Sequence, residues 1–225
     1  MQFLPPMMLR DSVNVNQEIQ HGRSDSCVIN FMRFPGEIRN KVYDFVICEL
    51  PQATAATLIP VIACDSVVVH REFMLRYLPL MHLNIASMQH IWQMYTLLER
   101  HSPDLAFYKI KKLAVSNFTT IAHTSARANE LMDFVCQFES LNTFTFDISL
   151  KDLHHGIRGR IKALDHLLTE FELFQIPTLP QLTKLVVNVK RKGMPIAPET
   201  ASLLVQLKEW LEEAVRGEVR LIYSE

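Results

Sequence analysis

Glycine is scarce in this chain, with 6 in 225 residues. That scarcity removes whole classes of chemistry. A phosphate-cradling loop or a dinucleotide fingerprint needs several glycines at fixed spacing, because only a residue without Cβ lets backbone N–H groups close on an anion. Neither pattern occurs. The Gly-x-Ser-x-Gly turn of many hydrolases is missing, as is the His-Glu-x-x-His zinc motif. Cysteine is equally sparse. Cys27, Cys48, Cys64 and Cys136 stand apart, with no Cys-x-x-Cys pair. This argues against a metal site and against a disulfide framework. The four read as reduced, mostly buried thiols that behave as small hydrophobes.

Excess charge and long apolar runs are lacking too. Lys+Arg total 23 against Asp+Glu 24, a net charge of -1, so there is no basic footprint of the kind nucleic-acid binding leaves. No stretch approaches the ~18 uninterrupted apolar residues of a membrane helix. The richest, Leu58 to Val69, is broken by Pro60 and Asp65. The apolar start, Met1 to Leu9, contains Pro5 and Pro6, and its first charge, Arg10, follows the run. A secretory signal would place that charge before it. These absences predict an intracellular protein, cytoplasmic or nuclear, with no cofactor, no metal, and neither nucleic acid nor membrane among its partners.

What is present is a core. Apolar residues make up 48% of the chain, enough for a globular interior. Residues 1–28 are predominantly polar from Arg10 to Ser26, show no period, and predict a disordered tail. Residues 29–100 predict a helical region. Pro35 suits a first helical turn, where its missing N–H costs nothing, and Glu37 there complements the helix dipole. Ile38, Val42, Phe45, Val46 and Leu50 follow on one stripe, and Pro51 ends the helix. Val67-Val68-Val69 is β-branched and reads as a short strand or a buried loop. A second helical pattern runs from about Met81 to Glu99, with Leu83, Met88, Ile91, Trp92, Tyr95 and Leu98 as its apolar set. Methionines there fill irregular gaps.

Residues 101–225 are quasi-periodic. An apolar-x-x-apolar-x-apolar pattern recurs at Ile110–Val115, Leu141–Phe146 and Leu182–Val187. Helices are predicted over 125–138, 157–174 and 198–216. The last opens on Pro198, carries Leu203, Leu204, Leu207, Leu211 and Val215, and is expected to be capped by Gly217 in the left-handed conformation. Val219 to Tyr223 predicts a terminal strand. Parallel strands joined by helices are the natural solution, since each crossover needs a dozen or more residues. Leucine-rich repeats share the core pattern with shorter periods. The predicted class is therefore α+β or α/β: a helical segment followed by an irregular leucine-rich-repeat-like α/β domain with mostly parallel strands.

Reactive constellations are thin. His154 and His155 lie between a strand and a helix, and Asp147 at a strand end could act as a base. A hydrolase or transferase would need these three to converge, and nothing in the sequence supplies a nucleophile beside Asp147. A solvated loop is the plainer account. His82 and His90 read as surface or hydrogen-bonded histidines. Lys109, Lys111 and Lys112, and Lys190, Arg191 and Lys192, flank strands as solvated ends or as contacts for an acidic partner. No catalytic residue is assigned, and a non-catalytic module is expected.

The stretch FMRFPGEIRNKVYDFVI, residues 31–47, resembles the opening of fungal F-box-like proteins, which carry a Leu-Pro-x-Glu-Ile-Arg-x-x-Ile-Tyr pattern. Pro35, Glu37, Ile38, Arg39 and Tyr43 match it, with Phe34 and Val42 as apolar replacements. A later segment of that family is echoed by Leu80, Leu83, Asn84, Ala86 and Tyr95, without its Arg-Gln pair. The resemblance implies an F-box helix that docks a Skp-type adaptor of a cullin-RING ubiquitin ligase, while the C-terminal domain holds an unknown protein target. Carried over residue by residue, docking falls on Phe34, Pro35, Ile38, Val42, Phe45 and Val46. Apolar anchors at such spacing suit a helix laid in a groove. The alternative is a scaffold whose vestigial F-box keeps that stripe buried within the protein itself.

Overall fold

The recurring apolar triplets become strands that lie side by side. The computed structural model describes residues 31–49, 67–100, 107–124, 130–155 and 160–225. Its frame is a five-stranded parallel sheet of β1 (His82–Ile85), β2 (Lys112–Val115), β3 (Thr143–Ser149), β6 (Lys184–Lys190) and β7 (Glu218–Ser224), neighbours in that order. Two further strands, β4 (His154–His155) and β5 (Arg160–Ile161), form a small antiparallel ladder of their own. Register explains the repeat. Leu83, Leu113, Phe144, Leu185 and Val219 share one lateral row, and Ile85, Val115, Phe146, Val187 and Leu221 share the next but one. The first apolar residue of each triplet, Ile110, Leu141 and Leu182, is buried just ahead of its strand.

Helices fill the connections: α3 (Met88–Arg100), α4 (Phe118–Thr124), α5 (Glu130–Cys136), α6 (Leu164–Glu170) and α7 (Pro198–Ala214). Parallel strands taken in chain order are joined by right-handed crossovers that all advance the same way, which stacks the helices on one face of the sheet. Burial agrees. Phe144, Phe146, Ile148, Leu185, Val187 and Val189 are enclosed on the helix side, while Thr143, Thr145, Lys184 and Asn188 on the other side keep partial exposure. Aromatic rings knit the enclosed side: Phe118 meets Phe146 at 4.8 Å, and Phe134 meets Phe138 at 5.0 Å. Each such ring, fully removed from water, is worth about 1.5–3 kcal/mol.

Ahead of the sheet stand a 3-10 turn, Phe31–Arg33, and two helices, α1 (Gly36–Glu49) and α2 (Val67–Tyr77). The expected helix after Pro35 is thus present, starting one residue later, with Glu37 in its first turn. The tail expected over 1–28 lies outside the described residues.

Several expectations are corrected. Val67–Val69 is neither strand nor loop but the first turn of α2: Val69 and Phe73, four apart, bury one helical face, and that packing overrides β-branched preference. The stretch from Met81 is not helical until Met88. Met81, Leu83 and Ile85 alternate with His82 and Asn84, which is a strand period, and they form edge strand β1 inside the 29–100 region. The helix expected over 157–174 is broken into β5, α6 and a 3-10 stretch, Leu173–Thr178, with Glu172 between them in the left-handed conformation. Gly217 does not cap α7 through a left-handed turn; its φ is not positive. It is needed for space, because a Cβ there would sit 2.0 Å from the carbonyl oxygen of Thr183.

Candidate partner-binding site

The candidate site is the outer side of α1. Successive helical residues turn by about 100°, so Ile38, Val42 and Phe45 fall within an arc of about 60°. Arg39 and Tyr43 lie about 100° or more round from Ile38, and that offset decides their fates. Tyr43 is fully buried, its ring edge-on to Phe73 at 5.9 Å and to Phe31 at 5.6 Å. Arg39 reaches across to Glu72 of α2, with Nε donating to Oε2 at 2.9 Å and Nη2 to Oε1 at 2.6 Å. The Tyr43 hydroxyl donates to the same Glu72 carboxylate at 3.0 Å. One turn on, Arg76 grips Asp44 with two parallel bonds of 2.8 and 2.6 Å.

These partners tune one another. Arg39 holds the Glu72 carboxyl below its ordinary range, with Tyr43 adding to the effect. Burial, then the Glu72 carboxylate, pushes the Tyr43 phenol up to about 12. Arg76 lowers Asp44 likewise. Arg39 also donates to the Phe34 carbonyl at 2.6 Å, which fixes the turn that presents Phe34. Phe31 braces the Phe34 ring edge-on at 6.3 Å.

The matched motif therefore splits in two. Arg39 and Tyr43 lock α1 onto α2. Phe34, Pro35, Ile38 and Phe45 face outward, with Phe45 68% exposed, Ile38 41% and Phe34 36%. Val42 is half-buried, and Val46 leans against the core. The stripe is thus exposed beside a polar lock, not enclosed in the core. Leu50, the last residue of the expected stripe, lies outside the described residues. Glu72 and Arg76 were not singled out in the sequence. Their signal is the i, i+4 spacing of opposite charges facing Arg39 and Asp44.

The other candidate residues do not gather. Asp147, itself buried, accepts from Asn188 at 2.9 Å and pairs with Lys190 at 2.7 Å on the sheet face turned away from the helices. His154 stands 3.4 Å from the Thr200 hydroxyl, while the His155 ring meets that of His166 tilted by 44° with centroids 4.7 Å apart. His90 accepts from the Ala86 N–H at 3.2 Å at the start of α3. His82 sits beside Lys112 on the sheet edge, and burial together with that lysine lowers its imidazole. Among the described residues no group of His, Cys, Asp and Glu is arranged to hold a metal ion, and no helix is long and apolar enough to cross a membrane. A scan against family models and searches of curated proteins and of solved structures return no match to this chain.

Proposed function

We propose that this chain is a non-catalytic interaction module that docks a Skp-type adaptor of a cullin-RING ubiquitin ligase through α1 and holds a separate protein target on its sheet domain. The reading rests on the resemblance of residues 31–47 to fungal F-box-like proteins. The observation that carries it is the outward exposure of Ile38 and Phe45 on α1, and of Phe34 just ahead of it, while the inward residues of that helix are locked by Glu72. A stripe serving only the protein's own core would be enclosed, so this exposure favours docking over a vestigial F-box. Consecutive parallel strands with helices between them support a leucine-rich-repeat-like account of the second unit. Its open face, with the row His82, Lys112, Thr143, Lys184 and Glu218, is the surface we assign to the target. Such a role implies an intracellular setting, cytoplasmic or nuclear.

Co-purification of the full chain with a Skp-type adaptor tests the reading. The wild-type chain is expected to form a complex that the double substitution Ile38→Ser, Phe45→Ser abolishes. Both residues are exposed, so the variant should unfold within about 0.5 kcal/mol of wild type. No complex with the wild-type chain would remove the ligase reading and leave the scaffold alternative.

A further inference from the structure

A cleft between α3 and α5 is built from two helical stripes of different chemistry. Met88, Ile91, Trp92 and Tyr95 recur at i, i+3, i+4 and i+7, so they share one face of α3. Glu130, Asp133 and Gln137 recur at i, i+3 and i+7 along α5 and the turn after it. Together they line a cavity of about 400 Å³, within the size range of sites that take small ligands or side chains. Ile91 is buried beneath it. Trp92 is 59% exposed, tilted 44° against Tyr95 with centroids 6.3 Å apart. Gln137 donates to the Tyr95 hydroxyl and steadies that ring. An indole is the side chain that gains most from burial, and here it lies open at the mouth of a cleft.

Opposite the rings stand two carboxylates with no resident cation among the described residues. Glu72, Asp147, Glu170 and Glu218 all have basic partners. Glu130 and Asp133 form no ion pair with any described residue. The Asp133 charge is felt behind the helix: together with burial, the larger cause, it raises the carboxyl of Glu172 and the thiol of Cys136. Electron-rich ring faces beside unpaired carboxylates make a receptor for a cation with a flat, weakly hydrated head. Phosphates and acidic peptides are repelled by the same charges.

We propose that this cleft binds an arginine side chain presented by a basic peptide segment of a partner protein, with the guanidinium stacked on Trp92 and its N–H groups donated to Glu130 and Asp133. Arginine fits better than lysine, because a planar fork can stack and donate at once, whereas an ammonium is a compact, strongly hydrated point charge. The volume exceeds one guanidinium and leaves room for flanking peptide. No residue of α1 takes part, so the inference stands whether or not α1 docks an adaptor.

Calorimetric titration of the full chain with the peptide acetyl-Gly-Arg-Gly-Arg-Gly-amide tests it, with the citrulline peptide of the same shape and no charge as control. Saturable binding of the arginine peptide is expected. Citrulline should weaken it by about tenfold or more, and so should the double variant E130Q/D133N. Trp92→Ala should weaken it by about three- to fivefold. The charge-neutralised variant keeps the helix surface isosteric, and an unchanged circular dichroism spectrum verifies its fold. Equal affinity for arginine and citrulline, indifference to E130Q/D133N, or no saturable binding would each overturn the proposal. Dimerisation in sedimentation that E130Q/D133N abolishes would also overturn it, by making a second copy the occupant.

Discussion

In the sheet unit Phe118, Phe134, Phe144 and Phe146 are completely enclosed, whereas on α1 Phe45 and Ile38 face water. The two regions are also attached differently. The sheet is held by apolar rows that run from strand to strand. The α1–α2 pair is held by Tyr43 and Phe73 in the core and by a polar lock, Glu72 with Arg39 and Tyr43, and Asp44 with Arg76. Charge-assisted bonds are directional and fix a geometry, but exposed ones add little net stability. One region is built to be stable. The other is held in one orientation with Ile38 and Phe45 exposed.

That contrast can be broken from either side, and the largest effect should come from the sheet. Phe146→Ala removes an enclosed ring packed on Phe118 and Phe144, and should cost about 3–5 kcal/mol in urea unfolding. Loss of under 1 kcal/mol would mean that the sheet does not depend on this row. Next comes Gly217→Ala. The added Cβ meets the Thr183 backbone, where the Glu218 N–H bonds the Thr183 carbonyl at 2.8 Å and starts the β6–β7 pairing. Forcing that backbone apart should cost about 1–3 kcal/mol, read as a lowered Tm with faster amide exchange along β7. Tyr43→Phe should cost only about 1 kcal/mol, the net worth of one hydrogen bond. Its signature is local: amide exchange should rise in α1 while β3 and β6 stay protected.

The smallest effect is a pH window confined to the helix pair. The Glu72 carboxyl is lowered in the folded chain, so its contribution is present above the ordinary carboxyl range of about 4.3 and is lost as pH falls through the lowered value. The Tyr43 phenol is raised to about 12 in the folded chain. Its contribution is complete below the unfolded value of about 10 and is lost as pH climbs through the folded one. Near-ultraviolet dichroism should therefore report loosening around Tyr43 at both extremes, with the sheet signal flat between them. A sheet that melts together with the pair at mild acid pH would dissolve the distinction.

Much of the sheet unit was legible because its strands repeat one spacing. Leu113, Phe144 and Leu185 occupy equivalent places in the triplets and also one lateral row, so a chain-level pattern became a three-dimensional one. Helix α7 was legible for a similar reason: Pro198 opens it, and Leu203, Leu204, Leu207 and Leu211 form one buried stripe. Strand β1 was hidden because its short alternation runs directly into the helical period of α3. The start of α2 was hidden because three valines signal β locally, while burial of Val69 and Phe73 settles it tertiarily. At the site, Pro35, Ile38 and Phe45 could be read as a stripe, but the direction it faces could not. That depends on Glu72, some thirty residues away, a partner that periodicity does not reveal. Trp92 belongs to the same helical spacing as the buried Ile91, yet its ring stands largely in the open, a difference that spacing alone does not carry.

The sheet also tapers. β1 and β2 pair over four residues, whereas β3, β6 and β7 pair over seven. Each strand of this sheet pairs only with the sheet strands before and after it in chain order, so the sheet is a ladder in single file with a thin end and a thick end. Helices α1 and α2 come just before the thin end in the chain. Tension applied through α2 would be taken up first by the short rungs between β1 and β2, leaving the long rungs and the aromatic interior behind them undisturbed.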